Sequence, residues 1–436
     1  MLNNTSDKKV KILLLGYNDN PLKGHVLSHY QELPEDKFDK RMVVAFSLDE
    51  KKDYAFHVQS KSVWAKIWKK FDIRLTRIKN IIRYRSFIQI NKKRPEFCFL
   101  GFDRQCNVTA KEILDKNPDF VPDVIALFWT ATFLNPQIIR DLYDLTKAKM
   151  LFAFVDEAYL TGGCHYPNDC NGYLYGCHKC PALSIGKNVA ELQMADKLKY
   201  WEGIPKIVYG VKSDCILAKK SPVFKDAITI ALIAVPNVTI TDRSTARRKW
   251  GIDANSFVML LGANDLRDTR KGIKYAIKAI NKLAEEKDNL CVFILGHKKN
   301  HTINKLGIKS NVKIIDPGFL SLNDLFIAYC ASDCHISPSL ADSGPMMVNY
   351  SIACGTPVVS YNIGVARDIV LHKETGYIAK YKDSNDIANG LNWLYQLDEN
   401  SKETMRKNCL ALMAELKKQR PYFDEVYDYV VKGNKL

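Results

Sequence analysis

The chain has 436 residues, 47% of them apolar, and a formal net charge of +16. That length exceeds one compact core and points to two domains, and the apolar content is that of a globular protein. No apolar run approaches the roughly 18–20 residues that cross a bilayer, so a helical membrane span is not expected.

Near the N-terminus, Ile12-Leu13-Leu14-Leu15 follow several basic residues. The stretch is too short for a signal-peptide core and has no small-residue cleavage site, so it reads as the first buried strand of a cytosolic protein. In that compartment the twelve cysteines are expected as reduced thiols or metal ligands rather than disulfides. Gly24 follows this strand as either a plain turn residue or a point of close approach to a ligand.

Between Lys51 and Arg94, fourteen Lys and Arg residues stand against Asp53 and Asp72 alone, so this stretch carries most of the net charge. Trp64, Ile67, Trp68, Phe71, Leu75 and Ile78 fall among them at helical spacing. A basic helix with aromatic residues on its apolar stripe suits an anionic membrane surface. A helix packed on its own domain with a solvated basic face is the plainer reading. No base-reading motif accompanies the charge, so nucleic acid is not expected as a partner.

Strands are expected at 10–15, 42–45, 124–128, 150–155 and 206–209, then at 257–261, 291–295, 312–315, 334–336 and 357–360. Helical patterns lie between them, notably at 136–147, 273–286, 322–330 and 346–354. Such alternation argues for two doubly wound parallel sheets with helices on both faces, in which ligands sit at the carboxyl ends of strands. The boundary is expected near residues 225–240.

Cys164, Cys170, Cys177 and Cys180 lie within seventeen residues, spaced C-x5-C-x6-C-x2-C, with His165 and His178 beside them. The terminal pair is a natural clamp, and two more thiolates complete a tetrahedral structural zinc site. Unligated thiols, a disulfide or an iron–sulfur cluster fit the same spacing. His297 and His301, in a Lys-rich loop, are expected in solvent.

The most informative stretch is 337–376. A short strand enters a polar loop at Asp342, Ser343, Gly344 and Pro345, and a helix then starts at Met346. A loop of this kind presents unpaired N–H groups and the positive end of the helix dipole, which together hold phosphate. The loop at 262–272 also follows an apolar strand and opens a helix; Gly262 begins it, and Arg270 and Lys271 add fixed cations. Asn362 starts a third strand-to-helix turn where backbone comes close to a ligand.

With Val235-Pro236-Asn237, Lys271-Gly272, Pro338-Ser339, Ala353-Cys354-Gly355-Thr356-Pro357-Val358-Val359 and Gly376, the second half resembles the family 4 retaining glycosyltransferases of the GT-B fold. Trp129-Thr130, Asp156 and Leu160-Thr161-Gly162-Gly163-Cys164 resemble a bacterial branch that builds exopolysaccharide and surface glycans. The resemblance implies two Rossmann-like domains facing a cleft: an acceptor domain at 1–230, a donor domain at 231–405 and a C-terminal helix at 406–436 returning to the first. It implies transfer of a sugar from a nucleotide diphosphate-sugar to a glycan or lipid-linked acceptor, with retention and no catalytic metal, at the inner face of the cell membrane. Lys271 and Arg270 are expected on the diphosphate, Asp342 on the sugar and Tyr350 near the ribose. Asp156, Thr161 and Gly162 are expected on the acceptor side. The sequence departs from the family where Asp342 and Tyr350 replace two glutamates, and where Val155 replaces a histidine before Asp156. A non-catalytic homologue that binds nucleotide or glycan and scaffolds a partner transferase is the other reading.

Overall fold

The computed structural model describes residues 9–19, 26–47, 53–58, 97–99, 108–131, 133–183, 189–296 and 306–432. Gly24, His297, His301 and nearly all of the basic segment lie outside them. The chain divides into two units, Met1–Leu232 with Arg420–Leu436, and Ile233–Gln419.

The first unit is built on strands β1 Val10–Asn18, β2 Phe38–Ser47, β3 Ala55–Val58, β4 Val124–Phe128, β5 Lys149–Ala153, β6 Lys206–Gly210 and β7 Ile228–Ala231. They form one sheet in the order β3-β2-β1-β4-β5-β6-β7, every pair parallel. The two-residue period of a strand divides its side chains between two cores. Leu13, Leu15, Ile125 and Leu127 enter one, and Ile12, Leu14, Val124 and Ala126 the other. Helices Pro136–Thr146 and Val189–Tyr200 contribute to the first core, together with the loop carrying Cys164 and Cys177. On the other side lies the C-terminal helix Tyr422–Val431, whose buried Tyr422 stacks on Tyr209 with ring centroids 4.3 Å apart.

Local rules explain the helix Pro136–Thr146. Asn135 accepts from Ile138 N–H at 2.9 Å, Pro136 occupies the first turn, and Lys147 closes the end in the left-handed region at φ 56°.

The second unit has strands β8 Phe257–Ala263, β9 Leu290–Gly296, β10 Val312–Gly318, β11 Cys334–Ser337, β12 Val358–Tyr361 and β13 Gly376–Ala379. Their order is β10-β9-β8-β11-β12-β13, again all parallel. Connections run one way out from β8 and the other way out from β11, so a crevice opens beyond the carboxyl ends of these two strands. In the first unit the same reversal falls between β1 and β4.

Three strands go beyond the sequence expectation: β3, β7 and β13. Each has four residues and stands at the edge of its sheet, where pairing on one side suffices and the apolar signal is weakest. The strand expected to reach residue 155 ends at Ala153, because Val155 and Asp156 already belong to the turn that shapes a site. Residues 406–419 belong to the second unit rather than to the return. Their helix, Glu399–Leu416, buries Met405, Cys409 and Met413, and Cys409 Sγ contacts Thr375 O.

Candidate functional site

The loop after β8 and the loop after β11 are locked together at the reversal point of the second sheet. Leu340 N–H donates to Arg270 O at 2.7 Å, and Arg270 Nη1 donates to Ala341 O at 2.9 Å. Gly272 makes this approach possible. Its φ is +65°, and a Cβ there would stand 1.9 Å from Pro338 O, so any other residue would drive the loops apart.

Asp342, with 9% of its side chain exposed, receives both expected cations. Lys271 Nζ forms a short ion pair with its Oδ2, and Arg270 Nη1 lies 3.5 Å from the same oxygen. Arg270 Nη2 also bonds Asp268 Oδ2 at 3.0 Å, which fixes the guanidinium. The three residues expected to act on the donor thus form one cluster, with the carboxylate partly neutralising its two cations.

Above it starts the helix Met346–Ala353, preceded by Pro345 and capped by no side chain; Val348 N–H donates to Pro345 O at 2.8 Å, and the N–H groups of Met346 and Met347 are left for an anion. Ser343 is buried and its hydroxyl has no partner among the described residues. Gly344 is exposed. Gly364, at φ +53°, brings the turn begun by Asn362 onto this loop; a Cβ there would meet Asp342 O at 2.5 Å and Ser343 O at 2.6 Å. Gly262 faces Met347, whose Cε would lie 3.0 Å from an added Cβ. Tyr350 packs its ring on Phe326, centroids 5.5 Å apart, and burial raises its hydroxyl pKa, so it offers a neutral phenol.

In the first unit, Asp156 follows β5 and accepts from Ala158 N–H at 2.9 Å through Oδ1, a turn of its own making. Its Oδ2 lies 2.6 Å from Nδ1 of His165, and both side chains are buried. The two side chains hold each other in place. Trp129 Nε1 is 3.4 Å from the same ring, and Asp156 lines a cavity with Trp129, Thr130, Tyr159, Lys197 and Trp201. Sequence reasoning placed Asp156 but missed His165 as its partner. The position before Asp156 holds no histidine, and the one that meets Asp156 stands nine residues after it, brought back by the loop between.

Thr161 and Gly162, expected to face the acceptor, serve the interior of that loop. Thr161 is fully buried and donates to Cys164 O at 2.5 Å. Gly162 lies against the helix Val189–Tyr200, where a Cβ would stand 2.0 Å from Ala190 O. The buried Lys197 ammonium closes the turn by donating to Ala158 O at 2.6 Å and Thr161 O at 2.7 Å.

The four clustered cysteines share one corner of the first core. Cys164 and Cys177 are buried, and Cys170 and Cys180 pack against the same cluster. All four are free thiols. Burial raises Cys164 and Cys180 above the ordinary thiol range and pushes Cys177 up to about 11. Among the described residues, no three His, Cys, Asp or Glu side chains already stand as a metal-binding group. No described helix is long and apolar enough to cross a membrane.

Two parallel Rossmann-like sheets, the second with a basic loop pair beneath a helix N-terminus, define a GT-B fold. Residues 242–409 match the family described as "Glycosyl transferases group 1", which bears out the glycosyltransferase resemblance read from the second half of the sequence. The chain is 27% identical over 179 residues to a D-inositol 3-phosphate glycosyltransferase of Pseudarthrobacter chlorophenolicus, covering 39% of this chain and 42% of that one. The chain therefore spans about two fifths of that curated relative's length. Its fold is similar to sucrose-phosphate synthase from Thermosynechococcus elongatus, with a TM-score of 0.65, 13% identity and coverage of 98% and 100% of the two chains. It is also similar to HepE from Anabaena in complex with UDP-glucose, with a TM-score of 0.58, 14% identity and coverage of 97% and 100%.

Proposed function

We propose that this chain is a retaining glycosyltransferase that moves a sugar from a nucleotide diphosphate-sugar to a glycan or lipid-linked acceptor in bacterial surface-polysaccharide synthesis. The observation that carries this reading is the cluster of Arg270, Lys271 and Asp342 below the uncapped helix Met346–Ala353. Cleaving a sugar from a nucleoside diphosphate concentrates negative charge on the departing phosphate. A site made of two fixed cations and aligned N–H dipoles stabilises that charge where it develops and needs no metal to do so. On binding, the diphosphate takes over Lys271 and Arg270, and the released Asp342 turns to a sugar hydroxyl. Ser343, Gly344 and Met346 cradle phosphate oxygens, while Gly262, Tyr350 and Asn362 border the nucleotide. UDP-glucose bound to a protein of the same fold supports a uridine donor as the first candidate.

On the acceptor side, His165 holds Asp156, which lines the cavity and orients the acceptor hydroxyl. The basic segment at 51–95 supports attachment to an anionic membrane surface, which would bring a lipid-linked acceptor within reach.

A thermal-shift panel of UDP, GDP, ADP, CDP and their sugar conjugates tests the donor site. A ligand bound only by the folded chain raises its stability, and Lys271→Ala removes that rise while the unliganded melting curve stays in place. An equal rise in both proteins overturns the assignment.

One observation favours the non-catalytic alternative. Tyr350, engaged with Phe326, cannot accept two ribose hydroxyls as a carboxylate does. Donor turnover by the purified chain alone rules that alternative out.

A further inference from the structure

We propose that Cys164, Cys170, Cys177 and Cys180 bind a single zinc ion in a closed tetrathiolate site within the first unit. The inference stands independently of the transferase reading.

The placement of the four sulfurs is its first support. All four belong to one core: Cys164 and Cys177 are buried in it, and Cys170 and Cys180 pack against it. Cys170 Sγ and Cys177 Cα both lie within 4 Å of the point where a Cβ on Gly172 would stand. Gly176, Cys177 and Lys179 adopt φ values of 92°, 60° and 50°, so the Cys177–Cys180 clamp is a tight left-handed knuckle. Two non-glycine residues in that region persist only where the surroundings hold them.

Backbone donors are the second support. Gly162 N–H points at Cys177 Sγ at 3.2 Å, and Gly172 N–H at Cys170 Sγ at 3.3 Å. Leu183 N–H donates to Cys180 O at 3.2 Å and closes the turn behind the clamp. A neutral thiol is a weak acceptor, and two amides aimed at sulfur begin the outer shell expected around metal-bound thiolates.

Charge is the third. Four thiols binding Zn²⁺ release four protons and leave a site of charge −2. The buried Lys197 ammonium donates to Thr161 O, next to the Gly162 amide that meets Cys177 Sγ, and offsets part of it. Neither neighbouring histidine is needed as a ligand: His165 is held by Asp156, and His178 is exposed and lies 3.1 Å from Glu191. Because the sulfurs do not yet stand at ligand distances, loading draws them inward and tightens residues 161–183. Those residues include His165, so the ion fixes the ring that faces Asp156.

The test uses the full chain purified without chelator. Elemental analysis is expected to find about one zinc per chain, and cobalt replacement to give thiolate charge-transfer bands and the visible spectrum of a tetrahedral ion. Cys177→Ser and Cys180→Ser should each lose most of the metal, whereas Cys215→Ala, at a buried thiol outside the cluster, keeps it. Should the serine variants fail to fold, wild-type metal content and the cobalt spectrum decide alone. Absence of zinc with every thiol titrating in denaturant, a disulfide found by mass, or iron with labile sulfide each overturns the proposal.

Discussion

The carboxylate of Asp156 stands 2.6 Å from the imidazole of His165, although the two approach from opposite ends of a loop packed between a sheet and a helix. Two buried polar groups at that distance fix each other, since either alone would be left without its charge-assisted bond. His165→Ala is expected to lower sugar transfer about 10²-fold, the smaller end of what a positioned acid–base group supplies, with nucleotide affinity unchanged. Asp156→Asn should fall in the same range. Parallel measurement of kcat, acceptor KM and UDP affinity checks this; a loss confined to nucleotide affinity would contradict it.

Asp342 pairs with Lys271 and Arg270 in the unliganded chain and offsets part of their charge, so an incoming diphosphate must compete with it. Asp342→Asn removes that competitor. Nucleoside diphosphate should bind more tightly, by about tenfold or about 1.4 kcal/mol, while turnover falls because the sugar loses its carboxylate contact. Calorimetric titration with UDP alongside an activity assay reads both effects, and weaker binding by the variant would refute the arrangement.

His335 lies buried in β11, and burial pushes its pKa down from 6.5 to about 3. Below about pH 6.5 the unfolded chain binds a proton that the folded chain refuses. The contribution to stability is therefore complete above that pH and declines as pH falls towards 3, by at most about 1.4 kcal/mol per unit. His335→Leu should flatten the loss of stability between pH 6 and pH 4 by up to one proton's worth. Denaturant melts of both proteins across that window give the slope, and identical slopes would count against a buried neutral ring.

The central strands were legible because each is an apolar run between polar turns; β4 coincides with the expected 124–128. Edge strands escaped notice because four half-covered residues carry little pattern. Lys271 and Asp342, seventy-one positions apart, could be assigned to one site because the loops after β8 and β11 must be neighbours in a doubly wound sheet. His165 could not be paired with Asp156 by such a rule. Their meeting depends on an irregular loop closed by Lys197, Thr161 and the left-handed Gly163, and no periodicity announces such a path.

The helix Tyr422–Val431 belongs to a unit whose other residues end at Leu232. Its Tyr422 lies against His29 and Tyr209, and Asp424 pairs with Lys37 at 2.6 Å. During synthesis, the first sheet therefore leaves the ribosome well before the helix that covers one of its faces. The second unit, continuous in sequence, has everything it needs earlier. Folding in the cell should then finish in reverse of reading order, and a ribosome stalled before codon 420 would display an open apolar sheet face to chaperones.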